Sequence, residues 1–407
     1  MTGKTIAPTQ PAERISEIDI VRGLALFGIL MVNMSFFKYP IFFERYPSQY
    51  PAGIEQISAW FIQLFFTGNF YAVFSFLFGL GFFIFMERTV AKGLELVPLY
   101  RRRLFALLVF GFIHLFFIWS GDILFIYAVV GFILLRFRDK PVEAIRKWII
   151  GLFAAALVLH GLLGLLNAAG EVMAGDKYAV IIAEMIDQAF IKYREAGFTE
   201  LVAFRLVNEV PYVIFSLVVW IPAVLGFFLC GLYAGRLGIF KDIAAHELLL
   251  KKIRNTGLPL GALFLFLYFL IEAGILPLTV VLRIPLLGIL NYAASLFLFP
   301  AYVSLFVLAS RGGLFRRLLA PTAAAGRMAL TNYLAQTLIC ILLFYGFGLG
   351  LYGEVSIAGG IIITVAIYLG QVLWSNLWLM KFRYGPMEWL WRFLTYKQVQ
   401  PFLINDR

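Results

Sequence analysis

The sequence predicts an all-α, polytopic membrane protein, a helical bundle of about ten transmembrane helices with both termini in the cytoplasm. The 407 residues are 62% apolar and only 14% charged, whereas soluble domains are roughly 45–50% apolar and about 25% charged. Apolar runs recur that reach the roughly 20 residues needed to cross the hydrocarbon core. The alternating pattern of a membrane barrel is missing from the sequence, and Cys230 and Cys340 are too few for a disulfide scaffold.

Ten apolar segments are predicted to span the bilayer. They lie near residues 20–38, 60–86, 104–119, 123–136, 148–168, 211–235, 256–275, 284–309, 328–350 and 357–379. Residues 169–209 mix acidic and apolar positions and are predicted to form amphipathic helices at the outer surface, which either cap a cavity or shield the bundle. Residues 236–255 are predicted to form a cytoplasmic amphipathic connector. A cytoplasmic tail at 1–17 and an interfacial cytoplasmic segment at 381–407 then flank one transmembrane domain at 18–380.

The placement of basic residues sets the orientation. Of the 34 lysines and arginines, 27 fall in segments on one side of the predicted spans and seven on the other. Because positive charge is retained in the cytoplasm, both termini are expected inside and the number of spans is expected to be even. The net charge of +11 is explained by this topology and by contact with the anionic lipid bilayer. It does not indicate binding to nucleic acid.

The first span carries polar groups on one stripe. Ionisable side chains in hydrocarbon are costly and usually face the bundle interior or a water-filled cavity. Asp19 and Arg22 are three residues apart and can pair, which makes an interfacial ion pair the simpler interpretation. Asn33 follows about 16 Å further along the axis, either as a packing amide or as a functional one. Gly23 and Gly28 would allow another helix to approach closely.

The third and fourth spans form a hairpin that contains His114 and Asp122. Asp122 opens the returning helix, where an aspartate is a good cap. Imidazole titrates near neutral pH, so His114 is interpreted either as a catalytic or proton-handling group or as a hydrogen-bonded structural histidine. His160 is interpreted as structural and His246 as solvated. Three scattered histidines without a cysteine cluster predict no metal site.

Further polar residues follow near the predicted inner face. Arg327 begins the ninth span, where its guanidinium can bind phosphate or extend to lipid headgroups. Asn332 and Gln336 lie beyond it, four residues apart. Arg101–Arg103 form a basic triplet, for which a topology determinant is the simpler interpretation. The sequence has no phosphate-binding loop and no nucleophile elbow, so spacing alone leaves a membrane enzyme and a transporter open.

Several motifs along the chain are similar to those of one family. They are the run from Asp19 to Ile29 with Asn33, Phe76-Leu77-Phe78-Gly79-Leu80-Gly81, Arg102-Arg103-Leu104, His114 with Gly121-Asp122-Ile123-Leu124, the run from Gly326 to Tyr333, and the run from Tyr384 to Arg392. Together they resemble the YeiB-like family of bacterial inner-membrane proteins, which carry a domain of unknown function termed DUF418. The resemblance covers nearly the whole chain and implies a multi-pass protein of the bacterial inner membrane.

The N-terminal half is more distantly similar to the transmembrane acyltransferases, a group that includes the lysosomal heparan-glucosaminide acetyltransferase. Those proteins use acyl-CoA and modify an acceptor across the membrane. The shared elements are the Asp-x-x-Arg-Gly start at Asp19 and Asn33, which lines up with an active-site asparagine. The catalytic histidine of that enzyme follows the asparagine in the first outer loop. This sequence has Glu44 and Arg45 in that loop but no histidine.

The resemblance implies an acyltransferase that moves an acyl group from acyl-CoA to an unknown hydroxyl or amine acceptor at the outer face, without a metal. The CoA phosphates are expected to bind at Arg22, Arg102, Arg103, Arg327 and Arg383. His114 is expected to act as general base, and Asp122 to orient its imidazole. Asn33 or Asn332 is expected to stabilise the oxyanion.

Two other classes remain open from the sequence. One is a transporter or flippase for a lipid-linked or small amphipathic substrate, in which His114 and Asp122 carry protons and the span around Gly68 is discontinuous. The other is a structural or assembly partner without turnover. The glycine-bearing helix faces are also compatible with a homodimer.

Overall fold

The computed structural model describes residues 14–41 and 47–404, and these residues form an all-α bundle. Its first helices are α1 Ser16–Lys38, α2 Ile54–Phe65, α3 Phe70–Ala91, α4 Leu96–Ile113, α5 Leu124–Leu134, α6 Val142–Ala174, α7 Asp176–Glu195 and α8 Phe198–Asn208. They are followed by α9 Val210–Arg236, α10 Glu247–Glu272, α11 Val280–Ala309, α12 Gly313–Leu319, α13 Thr322–Arg327, α14 Ala329–Phe344, α15 Ile357–Lys381 and α16 Pro386–Tyr396. The described ranges contain no β-strand, so the predicted fold class is confirmed.

Seven helical segments of the described chain are long and apolar enough to cross a membrane. They are Ser16–Lys38, Ile54–Ala91, Val142–Ala174, Val210–Arg236, Glu247–Glu272, Val280–Ala309 and Ile357–Lys381. Two shorter apolar segments, Leu124–Phe137 and Ala329–Phe344, lie among them. Each of the ten predicted spans therefore contains helix, but those predicted at 104–119, 123–136 and 328–350 are shorter or more polar than an independent span. A count of ten membrane crossings stays a prediction.

The helices break at two places. The second predicted span is interrupted between α2 and α3, where Gly68 has a φ of +78° that a side chain would disfavour. The other break is at Met328, between α13 and α14, and coincides with the predicted start of the ninth span. Glu388 of α16 caps the N-terminus of α14. Its carboxylate accepts hydrogen bonds from the backbone N–H groups of Leu330 and Thr331 at 2.7 and 3.1 Å. The first N–H groups of a helix have no partner within the helix.

The stretch predicted as a connector at 236–255 divides between turns and helix. Turns follow Arg236, and α10 then runs from Glu247 without interruption into the apolar bundle. Pro259 lies inside this helix. The second half of the predicted connector therefore forms the first turns of α10, and its place in the cytoplasm stays a prediction.

Glycines set the closest contacts between helices. Gly23 of α1 lies against the backbone of Thr322, and Gly326 of α13 lies against the backbone of α1. Gly79 of α3 lies against the backbone of Phe228 in α9 in the same way. Close approach through small residues is a common mode of helix association in lipid, where packing replaces the hydrophobic effect. The role predicted for Gly23 is thereby confirmed.

The described chain begins and ends at the same end of the bundle. Arg14 and Arg383 line one cavity there, and the Arg383 side chain donates hydrogen bonds to the carbonyls of Leu403 and Ile404 at 2.9 and 3.1 Å. We call this end the basic end. That it faces the cytoplasm stays a prediction.

The segment between α6 and α9 forms α7 and α8 at the opposite end. Tyr193 of α7 stacks on Tyr352, with ring centroids 4.6 Å apart, and packs edge-on against Tyr345 at 4.8 Å. The backbone N–H of Gly346 donates to the carbonyl of Tyr193 at 2.8 Å. The two helices therefore dock on the segment that follows α14.

Replacing Gly79 by Ala is expected to destabilise the bundle, because the added Cβ would overlap the backbone of Phe228. Overpacking costs about 1–3 kcal/mol, which exceeds the gain in helix propensity of about 1 kcal/mol. Thermal unfolding in detergent measures the effect. Gly81→Ala is the matched control on α3, because no atom lies within 4 Å of its added Cβ. Equal unfolding temperatures for the two variants would contradict this account of the packing.

Candidate functional site

A cavity of about 360 Å³ opens at the basic end. Its mouth is lined by two carboxylates, Asp19 and Glu388, and by a larger set of cationic side chains: Arg14, Arg22, Arg88, Lys92, Arg103, Arg327, Arg383 and Arg392. The remaining lining is largely apolar and aromatic, and includes Ile29, Phe78 and Leu107. The cavity thus changes from strongly positive at its mouth to apolar inside.

The helix positions of the lining residues show how far the cavity penetrates. On α1 the lining reaches Ile29, and on α14 it reaches Tyr333. Ile123 and Leu124, at the start of α5, line the same closed end. The cavity therefore ends inside the bundle, next to the hairpin that carries His114.

The hairpin holds a buried chain of hydrogen bonds. His114 Nδ1 lies 2.8 Å from Asp122 Oδ1, and His114 Nε2 lies 3.0 Å from the hydroxyl of Thr337 on α14. The other oxygen of Asp122 accepts from the backbone N–H of Phe125 at 2.6 Å. Within this chain the His114 and Thr337 residues are 1% exposed and the Asp122 side chain is 0% exposed. The structure therefore brings His114 and Asp122 together as the sequence hypothesis requires, and adds Thr337.

Tyr333 borders both the cavity and the imidazole. Its ring centroid lies 5.3 Å from that of His114, and its hydroxyl accepts a hydrogen bond from the backbone N–H of Ile123 at 3.3 Å. His114 itself does not line the cavity within the described residues, whereas Tyr333 does. The Tyr333 ring therefore lies at the inner end of the cavity and packs against His114.

A π-helical turn sets the position of His114. α4 passes directly into this turn at His114–Ile118, a geometry that occurs often at functional sites. Trp119 closes it, because its backbone N–H donates to the carbonyl of His114 at 2.7 Å. The Trp119 ring also stacks on Phe37 of α1 with centroids 4.0 Å apart. Aromatic packing therefore fixes the hairpin against α1.

Asn33 lies on the face of α1 that continues from the cavity. It is one turn beyond Ile29, which lines the cavity, and one turn before Phe37, which packs on Trp119. Asn33 is half-buried, and its amide has no hydrogen-bond partner among the described residues. On α14, Thr337 is placed as Asn33 is on α1, because it lies one turn beyond the cavity-lining residue Tyr333.

Asn332 lies on a different face of α14. Its amide donates to the carbonyl of Ala325 at 3.1 Å and to the hydroxyl of Ser375 at 2.9 Å. Gln336, one turn further, donates to the side chain of Gln371 at 2.9 Å. Asn332 therefore belongs to a polar seam between α14 and α15, and the structure does not bring it to His114.

Four of the five predicted phosphate-binding arginines line the cavity, namely Arg22, Arg103, Arg327 and Arg383. Arg102 does not, and is exposed at the bundle surface. Arg22 pairs with Asp19 at 2.8 Å, as the sequence predicts. Arg103 stacks on the Trp391 ring at 3.6 Å.

The guanidinium groups of Arg14 and Arg327 lie close together at the mouth. Burial, and next the neighbouring Arg327 guanidinium, lower the pKa of Arg14 below its ordinary value, while Asp19 acts in the opposite direction. The Nε atom of Arg327 is buried and has no hydrogen-bond partner among the described residues. Clustered guanidinium groups with an unused donor are suited to bind an anion with several oxygens.

Sequence reasoning missed several of these residues. Arg14, Arg88, Lys92 and Arg392 complete the mouth, but they lie in separate segments that no local spacing connects. Thr337 and Tyr333 share one face of α14, yet nothing in the sequence relates that face to a hairpin more than 200 residues earlier. Glu44 and Arg45, named for the first outer loop, lie outside the described residues.

The α7–α8 insertion holds the hairpin from the opposite end. Arg205 donates to the carbonyls of Phe117 and Ile118, the last residues of the π-helical turn. Glu209 accepts hydrogen bonds from Ser120 at 2.5 Å and from Tyr193 at 2.7 Å. The insertion therefore positions the segment that bears His114 and Asp122, in addition to covering this end of the described bundle.

Glu209 gives this contact a pH dependence. Burial raises the pKa of the Glu209 carboxyl above its ordinary value, and the two hydroxyl donors only partly oppose this. A raised folded-state pKa means that stability is lost as pH rises through that pKa. The unfolding temperature of Glu209→Gln should therefore rise relative to that of wild type as pH rises through the range in which Glu209 ionises. Glu184→Gln, an exposed position on α7, is the control, and a pH-independent difference for Glu209→Gln would contradict the assignment.

Comparison with known proteins places the chain among bacterial proteins without an assigned activity. A family model described as "Protein of unknown function (DUF418)" matches residues 234–398. The uncharacterized protein YxaH of Bacillus subtilis (strain 168) is 34% identical over 412 residues, covering 98% of each chain. The uncharacterized protein YeiB of Escherichia coli (strain K12) is 32% identical over 410 residues, covering 96% of this chain and 98% of YeiB. No solved structure gives a significant match. The chain therefore belongs to the YeiB-like DUF418 family.

Proposed function

We propose that the protein is a membrane-embedded acyltransferase that takes acyl-CoA into the cavity and transfers the acyl group to a hydroxyl or amine acceptor at the outer face of the bacterial inner membrane. The observation that carries this proposal is a cavity that opens at the basic end and ends inside the bundle. Its mouth is cationic, and its inner end lies next to the hairpin of His114 and Asp122. In this proposal the cavity binds the acyl-CoA donor, and His114 of the hairpin, oriented by Asp122, transfers the proton.

The polarity of the cavity suits an acyl-CoA. Its phosphates would bind the guanidinium groups of Arg14 and Arg327, since charge-assisted hydrogen bonds to oxyanions are the strong ones. The adenine can stack on the aromatic rings of the mouth, where Trp391 and Tyr384 lie. The pantetheine arm would then follow the apolar lining inward and carry the thioester toward Tyr333.

The buried histidine suits proton transfer. Asp122 accepts from Nδ1–H of His114 and leaves Nε2 free to accept a proton, as an orienting carboxylate does in a catalytic triad. The Tyr333 ring turns aside to admit the thioester to His114. Asn33, one turn beyond the cavity lining, would donate its amide hydrogen to the developing oxyanion.

A transporter is the second candidate, because the breaks at Gly68 and Met328 resemble the discontinuous helices of transporters. One state of an alternating-access transporter would also have a cavity that is open to a single face, so the two candidates are separated by what lies beyond Tyr333. Beyond it lie the aromatic cluster around Trp119 and the contacts of Arg205. The geometry thus favours an enzyme with a fixed donor site.

Arg327→Gln is expected to weaken binding of S-octyl-CoA, a thioether analogue that cannot transfer its chain. Loss of a charged hydrogen bond costs about 1.5–3 kcal/mol, which corresponds to roughly a 10- to 100-fold higher Kd. Isothermal titration calorimetry in detergent measures it. Arg101→Gln, exposed at the same end, should bind as wild type does, and equal weakening by both variants would contradict a phosphate site in the cavity.

Transfer itself is testable without knowing the acceptor. Inverted membrane vesicles that contain the protein are supplied with octanoyl-CoA labelled separately in its acyl group and in its adenosine. An acyltransferase moves only the acyl label into vesicle material, whereas a transporter of acyl-CoA moves both labels together and a transporter of another substrate moves neither. His114→Ala should lower acyl transfer by about 10²- to 10⁴-fold, the usual contribution of a general base, and His246→Ala should leave it unchanged. Transfer that survives His114→Ala would overturn the assigned role.

A further inference from the structure

We infer that Thr337 is the nucleophile of this reaction and carries the acyl group as an ester between donor and acceptor. The inference rests on the proposed function and adds to it a covalent intermediate. It stands on the contact between the Thr337 hydroxyl and His114 Nε2, which joins α14 to the hairpin.

The geometry is that of a nucleophile, a base and an orienting acid. Thr337 Oγ lies 3.0 Å from His114 Nε2, and His114 Nδ1 lies 2.8 Å from Asp122. An activated hydroxyl requires a base within hydrogen-bond reach and a third group that orients the base. The hydroxyl is 3.4 Å from the carbonyl of Tyr333, so the histidine is its closer partner.

The burial of the set argues against a merely structural role. The Asp122 side chain is wholly buried, and His114 is its only ionisable hydrogen-bond partner among the described residues. A buried carboxylate is costly unless it is paired, and a neutral amide could cap α5 and hold the imidazole at lower cost. A carboxylate is required where the imidazole must become positively charged during a reaction.

The position of Thr337 suits a relay between two faces. It lies one turn beyond Tyr333 on α14, hence just past the closed end of the donor cavity. On its other side are Cys340, Ile341 and Phe344, which pack in the cluster nearest the α7–α8 insertion. An acyl group on Thr337 is therefore displaced from the basic mouth toward the opposite end.

The reaction balances in two steps. Thr337 Oγ attacks the thioester carbonyl while its proton moves to His114 Nε2. The carbon–sulfur bond then breaks, and the thiolate leaves with that proton as free CoA. In the second step the acceptor hydroxyl or amine attacks the Thr337 ester and gives its proton to His114. The bond between the carbonyl carbon and Oγ breaks, and Oγ takes the proton back.

The test is acid quenching of purified wild-type protein with octanoyl-CoA, followed by intact-mass and peptide mass spectrometry. We expect one octanoyl group on the peptide that contains Thr337, and at least a tenfold lower yield in His114→Ala. Thr337→Ser should retain the adduct, and Thr337→Val should lose both the adduct and transfer in the doubly labelled vesicle assay. Thr364→Val, another fully buried threonine, which bonds the carbonyl of Gly360, is the control for folding and should retain both.

The outcomes separate this inference from the proposed function. Acyl transfer by wild type and by Thr337→Val, with no adduct on Thr337, would overturn the nucleophile and leave the acyltransferase standing. Absence of any acyl transfer by wild type would overturn both. If Thr337→Val does not fold, the wild-type peptide map and the Thr337→Ser variant still decide the matter.

Discussion

The hydrogen-bonded pair of His114 and Asp122 inside an apolar bundle is the constraint on which the surrounding structure depends. A buried polar group left without a partner costs about 1–3 kcal/mol, and a charged group more. Both nitrogens of the imidazole and both oxygens of the carboxylate are accordingly bonded. The Trp119 stack holds this hairpin against α1, and the Arg205 contacts hold it against α8. The Thr337 hydroxyl joins it to α14.

The cationic mouth of the cavity lies at the basic end of the molecule. Guanidinium groups from α1, α13, α16 and neighbouring segments converge on one opening, where Asp19 and Glu388 are the only acidic lining residues within the described chain. Glu388 already bonds the N-terminus of α14, and Asp19 pairs with Arg22. Arg327 keeps a buried Nε donor without a partner among the described residues, so this opening is suited to an anion, while the interior of the cavity is apolar. A ligand with an anionic group and an apolar chain would match both the mouth and the interior of the cavity.

Much of the fold follows from local sequence properties. Apolar length predicts helices that the structure contains, and Gly23 predicts a close helix approach that it confirms. The contact that holds the start of α14 comes from Glu388 in a distant segment, and local sequence does not encode it. The start of α10 at Glu247, within the connector predicted at 236–255, is likewise not marked in the sequence, because charge density alone does not end a helix.

The candidate site was predictable only in part. His114 and Asp122 share one hairpin, so their pairing was within reach of sequence reasoning, as was the placement of Arg22 near Asp19. Thr337, Tyr333 and Arg14 join the site through contacts between remote helices, which spacing does not encode. Asn332 was predicted at the site but does not belong to it. Its amide hydrogens bond the Ser375 hydroxyl and the Ala325 carbonyl in the packing of the helices.

One bound acyl-CoA would connect the basic mouth to the buried hairpin. An electron cryomicroscopy structure of the protein in lipid nanodiscs with S-octyl-CoA tests this proposal. We expect phosphate density within hydrogen-bond distance of Arg327, and the sulfur beside a displaced Tyr333 ring, facing His114 and Thr337. Density for the ligand outside the cavity, or a cavity that retains phospholipid under saturating analogue, would contradict it.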